Sequence, residues 1–95
     1  MIEIALEKKP NQEISVSIDD VLYRIKIQQG NPNMLITIIA NDELLISGQP
    51  LTPNLPIITR KDKQITGQFY LLSNDEQYPS YKNFGDTCIL GYEGK

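Results

Sequence analysis

The side chains of this 95-residue chain that could take part in catalysis are three adjacent acidic pairs and one cysteine. Histidine is absent, so neither a Ser-His nor a Cys-His nucleophile pair can form, and no zinc site can use imidazole. Cys88 begins an apolar stretch and has no basic neighbour in the sequence that would activate its thiol. We therefore expect Cys88 to be a buried core side chain rather than a nucleophile.

The acidic pairs are Asp19-Asp20, Asp42-Glu43 and Asp75-Glu76, and each lies between two apolar segments. Glycoside hydrolysis requires two carboxyl groups that face each other across a cleft of about 5–10 Å. A calcium loop requires oxygen ligands at alternate positions and a closing glutamate, a pattern that these segments lack. Because Asp side chains bond to nearby backbone and tolerate left-handed conformations, the pairs are predicted to form turns. The sequence thus predicts no catalytic or metal site, no cofactor and no enzymatic activity.

Length and charge limit the class of protein further. Ninety-five residues are enough for one domain, residues 1–95, with a core of ordinary size. The net charge of −3 disfavours a nucleic-acid binder, which would rely on neutralising phosphates. Arg60–Lys63 is a short basic cluster interrupted by Asp62, a composition typical of a solvated turn.

The distribution of cysteine and apolar residues bears on the compartment. A single cysteine excludes an internal disulfide and fits synthesis in a reducing cytoplasm. Glu3 and Glu7 interrupt the first apolar run, so no signal peptide is expected. No apolar stretch approaches the ~20 residues that a membrane-spanning helix needs, so no membrane contact is expected.

Apolar and polar residues alternate with a period of two along most of the chain. This alternation places apolar side chains on one face of a half-buried strand, whereas a helix needs spacings of three and four. Seven segments are predicted to be strands: 2–6, 14–18, 21–28, 34–40, 43–47, 65–72 and the stretch from Cys88 onward. Segment 34–40 is apolar on both faces and is predicted to be a central strand. The pattern predicts an all-β fold, either a small antiparallel sandwich or a closed β-barrel.

Turn residues separate the predicted strands. Pro10-Asn11 divides the first two strands, and Asp19-Asp20 and Asn41-Asp42 are expected to form tight hairpin turns. Gly48–Pro56 contains three prolines, which exclude it from the interior of a sheet. Its apolar residues, Leu51 among them, predict a loop that lies over the end of the core.

The segment Pro79–Gly85, followed by Cys88–Tyr92, is the most informative part of the sequence. Its proline favours extended geometry just before it, and its closing glycine permits a positive φ after Phe84. We therefore expect an aromatic-bearing loop that packs Tyr81 and Phe84 against the domain, followed by a last strand.

Several of these features occur together in one known family. They are the opening strand, Pro10-Asn11-Gln12, the Asp19-Asp20 turn, Gly67-x-Phe69 and the closing pattern Pro79-x-Tyr81-x-x-Phe84-Gly85-x-x-x-x-Leu90-x-Tyr92. In this order, over nearly the whole length, the chain resembles the small baseplate plug proteins of contractile-tailed bacteriophages. It departs from them at the first turn, where Asp-Gly is common, and at Ala5, where proline is common.

The resemblance implies a structural component of the virion rather than an enzyme, synthesised in the cytoplasm of the bacterial host. Plugs of this family lie in the tail baseplate at the tail axis, against the hub and near the spike and the end of the tail tube. The implied partners are the hub and neighbouring tail proteins. A tail axis carries threefold or sixfold symmetry, so a homo-oligomer is expected, with three copies preferred.

Five side chains are candidates for contacts with these partners: Leu51, Leu55, Tyr78, Tyr81 and Tyr92. The two leucines lie on a loop stiffened by prolines, which costs little entropy to order against a partner. Tyrosine offers large amphipathic surfaces of the kind enriched at interface hot spots.

Two other functions stay open at this point. A free-standing β-barrel interaction module would bind a peptide through an open edge or groove. A carbohydrate-binding domain would need Tyr78, Tyr81 and Tyr92 exposed in one coplanar row. A baseplate plug instead predicts these aromatic side chains buried, or covered by a protein partner.

Overall fold

Seven β-strands are formed by the residues that the computed structural model describes, which are 1–31, 33–58, 67–74 and 78–94. The strands are β1 (Ile2–Ile4), β2 (Gln12–Ile18), β3 (Val21–Gln28), β4 (Leu35–Ala40), β5 (Glu43–Pro50), β6 (Gly67–Ser73) and β7 (Cys88–Gly94). A short 3-10 helix, Tyr81–Asn83, lies between β6 and β7.

The strands form two antiparallel sheets that pack face to face. One sheet has the order β2-β3-β4-β5 and the other β1-β7-β6. The rings of Tyr23 in the first sheet and Phe69 in the second lie 5.1 Å apart in an edge-to-face arrangement. The predicted all-β antiparallel fold is confirmed, and of its two forms the sandwich is the correct one. The closed barrel is wrong for the described residues, whose strands fall into two separate sheets.

Two tight hairpins connect β2 to β3 and β4 to β5. Asp19 and Asp20 have φ angles of 52° and 64°, and Asn41 and Asp42 have φ angles of 46° and 67°. Two consecutive positive φ angles are the type I′ geometry, whose twist matches that of the flanking strands. The Asn41 side-chain carbonyl also accepts from the Leu22 N–H at 3.0 Å, which joins the β4–β5 turn to β3. Both predicted hairpins are confirmed.

Several strand limits differ from the prediction: β2 begins at Gln12, β4 begins at Leu35 and β6 ends at Ser73, and the larger differences are in β1 and β5. β1 ends at Ile4, and β5 continues through Gly48 to Pro50. Proline is tolerated there because β5 is the outer strand of its sheet and needs no donor on its free side. The predicted central strand at 34–40 is confirmed, since β4 lies between β3 and β5. Positions 65–66, the basic cluster 60–63 and the acidic pair at 75–76 lie outside the described residues.

The core lies between the two sheets and is almost wholly apolar. Its centre is an aromatic cluster in which the Tyr92 ring lies 5.1 Å from Phe69 and 6.0 Å from Tyr23. Cys88 is buried in the same core without a disulfide, as predicted. Gly67 is required beside this cluster, because a Cβ atom there would meet the Tyr92 ring at 2.5 Å and the backbone carbonyl of Glu93. The two sheets of the domain therefore bury the apolar core between them.

Candidate interaction site

The chemically active side chains are dispersed over the surface or buried. Asp19, Asp20 and Asp42 lie in the hairpin turns, and Cys88 is in the core. Across the described segments, His, Cys, Asp and Glu form no group that could hold a metal ion. Glu7 bonds the Lys9 ammonium at 2.8 Å and raises its pKa, but both side chains point into solvent. Among the described residues, the candidate functional features are therefore exposed surfaces that could contact another protein.

Two of the five predicted contact residues are in the core. Leu51 and Tyr92 are each only 1% exposed. The Leu51 N–H donates to the carbonyl of Met34 at 2.8 Å, which continues the β4–β5 pairing one residue beyond Pro50 and holds Leu51 in the core. Tyr92 points inward because it lies on the same face of β7 as Leu90. Neither side chain forms part of the exposed surface of this domain, and their contact with a partner stays a prediction.

Leu55 lies on a segment that is bonded firmly to the edge of β6. This segment, residues 54–58, is called the strap below. The Asn54 N–H donates to Leu71 and the Ile57 N–H to Phe69, both at 2.9 Å. The Asn54 side chain pairs with both backbone groups of Ser73, at 2.9 and 3.1 Å.

The far end of the strap is held by Gln68. Its side-chain amide accepts from the Ile58 N–H and donates to the Ile58 carbonyl, each at 2.9 Å. Leu55 is 55% exposed in the middle of this network. An apolar side chain is therefore presented to solvent on a backbone that is already ordered, which lowers the entropy lost on contact.

The closing segment before β7 folds as the sequence predicts. Ser80 caps the 3-10 helix by accepting from the Lys82 N–H, and Phe84 is buried beneath it. Gly85 has a φ of 86° and donates its N–H to Cys88 at 2.8 Å. Tyr81 is half-buried and packs against the core. The aromatic loop and the positive φ are confirmed.

The three tyrosines of the closing region differ in burial. Tyr78 is 58% exposed, Tyr81 is half-buried and Tyr92 is in the core. A carbohydrate platform would need all three on the surface in one row. That platform is not formed, and the sugar-binding alternative loses the feature on which it depended.

Further exposed apolar side chains were not singled out by the sequence. They are Met1, Ile2, Leu22 and Leu44. Leu22 occupies a position in β3 where the alternation calls for a polar residue, a signal that was present in the sequence. Met1 lies against Gly91 beside a shallow apolar depression of about 200 Å³ that Leu72 and Ile89 also line. This apolar area beside β1 was not predicted from the sequence.

A protein-family model described as cyanophage baseplate Pam3 plug gp18 matches residues 1–95, the whole chain. No curated protein matches the sequence. In the structure, the closing pattern that carried the resemblance consists mainly of core and turn residues, including Phe84, Gly85, Leu90 and Tyr92. These residues form β7 and the loop that precedes it.

Proposed function

This chain belongs to the cyanophage baseplate plug family, and we propose that it packs at the tail axis, against the hub and close to the spike and the tube end. The family is a structural component of the phage baseplate, which implies a location in the virion tail and contacts with other baseplate proteins. The observation that carries the proposal is the match over the whole chain. The role is one of packing and carries no catalysis.

The contact surface proposed for this role contains Leu55, Tyr78 and the exposed part of Tyr81. The first two are more than half exposed, and the strap holds Leu55 on a backbone bonded to β6. Exposed leucine and tyrosine side chains on ordered backbone are suited to packing against a protein surface. Leu51 and Tyr92 are buried in the core and are not part of this exposed surface.

Several copies would surround the tail axis, and three is the preferred number. Identical subunits related by rotation about one axis form a closed ring through repeated heterologous contacts. Synthesis in the cytoplasm of the bacterial host fits a free, buried Cys88. None of the described residues belongs to a helix that could cross a bilayer.

The contact surface is tested with two double variants of matched exposure. Leu55→Ser with Tyr78→Ser removes the proposed contacts, and Leu22→Ser with Leu44→Ser removes equally apolar side chains from the outer face of the other sheet. We expect the first variant to reduce the copies per particle and the infectivity, and the second to leave both unchanged. The copies per particle are measured by quantitative mass spectrometry of purified virions. Normal incorporation of the first variant would show that the contact lies elsewhere.

The position and copy number are tested by electron cryomicroscopy of the intact tail. Density for three domains of this fold around the axis, next to the hub, is the expected result. Density for the domain only at the periphery of the baseplate would overturn the axial position, whatever the variants show.

A further inference from the structure

Four strand edges border the two sheets, and three of them are protected. The edge of β6 is covered by the strap. The edge of β5 is interrupted by shifts in its register with β4, by a positive φ of 58° at Gly48 and by Pro50. β1 is only three residues long. Bulges, prolines, covering segments and short strands are the devices that prevent edges from pairing with other chains.

Among the described residues, the edge of β2 has no proline, bulge or backbone-bonded covering segment; only the Gln12 side chain, at its first residue, bonds the neighbouring chain at Glu7 and Lys9. Its seven residues pair with β3 in an unbroken register from Gln12 to Ile18. The strand contains neither proline, lysine nor arginine, and its one charged residue is Glu13. A regular edge of this length is a template for a further strand.

The hairpin geometry shows which backbone groups face outward. Ile18 and Val21 flank the two-residue Asp19-Asp20 turn, so they exchange both backbone hydrogen bonds, and every second pair along the ladder does the same. The N–H and C=O groups of Glu13, Ser15 and Ser17 therefore point away from β3. Among the described residues, none of these groups makes a backbone hydrogen bond outside the ladder.

Space for another strand is present beside this edge. An open groove of about 420 Å³ runs between the chain at Ala5–Glu7 and the first half of β2. Ile14, which lines the groove, and Val16, two residues further along the strand, are only half-buried, although both pack against the core. A strand placed along β2 would complete their burial.

We propose that the β2 edge pairs with the β2 edge of a second copy of this chain, antiparallel about a twofold axis through Ser15. In this register Ser15 faces Ser15 of the second copy, Glu13 faces Ser17, and Ile14 faces Val16. Apolar residues meet apolar residues, the only charge meets a small hydroxyl side chain, and the outward groups form up to about six hydrogen bonds. The segment Glu13–Ser17 is thus complementary to itself.

Neighbouring registers are less favourable for chemical reasons. A twofold axis through Val16 would place Glu13 opposite Asp19, and like charges directly opposite each other destabilise a sheet. A twofold axis through Ile14 would place the polar Gln12 opposite Val16. The charge and polarity pattern therefore selects the register centred on Ser15.

This pairing belongs to the free protein. Copies arranged around the polar axis of a tail all face the same way along it, whereas copies related by the proposed twofold axis face opposite ways. The dimer closes the open edge before assembly, and it rests on the geometry of β2 alone. Its test can therefore fail without affecting the proposed position in the baseplate.

The test is sedimentation equilibrium of the full chain and two variants of equal charge. A short strand pair gives an interface below the standard size, so protein concentrations from about 10 μM to 1 mM are needed. Ser15→Lys places two lysines opposite each other at the twofold axis, and Ser17→Lys places each lysine opposite Glu13 of the other copy. Both positions are exposed in the free domain, and the circular dichroism melting curve of each variant checks its fold.

We expect the parent chain to form a concentration-dependent dimer. Ser15→Lys should raise its dissociation constant by up to about fivefold, the effect of one pair of like charges facing across a strand pair, whereas Ser17→Lys should leave it unchanged or lower it. A parent chain that stays monomeric throughout the concentration range would overturn the proposal. So would a dimer that tolerates Ser15→Lys, or one that both lysines weaken to the same extent.

Discussion

The burial of Tyr92 predicts that its truncation damages the fold itself. Tyr92→Ala removes a ring that is 1% exposed and that contacts Phe69 and Tyr23 with centroid distances of 5.1 and 6.0 Å. Truncating a buried aromatic side chain to alanine costs about 3–5 kcal/mol. Each aromatic pair contributes about 0.5–1.5 kcal/mol of its own, so we expect the upper half of that range.

This loss is large compared with the stability of the whole domain. A domain of this length has a free energy of unfolding of about 5–10 kcal/mol. With a urea dependence of about 1 kcal/mol per molar, the unfolding midpoint of Tyr92→Ala should fall by about 4 M. The melting temperature should fall by more than about 15 °C. Tyr92→Leu keeps part of the apolar volume and should lie between the alanine variant and the parent chain.

The measurement is urea-induced unfolding followed by circular dichroism, with Tyr78→Ala as the control. Tyr78 is 58% exposed, so its truncation should change the free energy of unfolding by less than about 0.5 kcal/mol. If both alanine variants unfold at the same urea concentration as the parent chain, Tyr92 is not part of the core. Tyr92 would then again be a candidate for direct contact with a partner.

Two further predictions concern the same core. Gly67→Ala should destabilise the domain by about 1–3 kcal/mol in thermal unfolding, because the added Cβ meets the Tyr92 ring and the Glu93 carbonyl. Gly94→Ala, at the position paired with Gly67, gains only an ordinary contact at 3.9 Å and should unfold like the parent chain. Cys88 should react with a thiol reagent only as fast as the domain opens, and Cys88→Ser should cost about 1 kcal/mol or more. Immediate labelling of the native protein, or equal effects of the two glycine substitutions, would contradict these expectations.

Local features of the fold were predictable from the sequence because they depend on neighbouring residues. Alternation along β2 and β3 and the Asp19-Asp20 turn define a hairpin without reference to the rest of the chain. The closing segment was predictable for the same reason, since Pro79 favours extended geometry before it and Gly85 permits the positive φ that follows Phe84.

The contact surface was only partly predictable, since exposure depends on what covers a residue. Leu51 and Leu55 share one proline-rich segment, but continued pairing with Met34 holds Leu51 in the core, whereas Leu55 is exposed on the strap. The sequence could not distinguish them, because both are apolar residues in the same loop. Their burial is decided by contacts with residues distant in the sequence.

The order of the strands was likewise decided by the tertiary structure. Period-two alternation shows which face of a strand is apolar, so the sequence was sufficient to predict the all-β class and the hairpins. Its lack of histidine separately excludes a histidine-based site. The sequence predicted that β4 is central but not which of the other strands lie at the sheet borders. That β2 has an open edge while the strap covers β6 follows from pairings between distant segments. Backbone hydrogen bonds form between any two strands of suitable geometry, so side-chain packing between the sheets has to select among them.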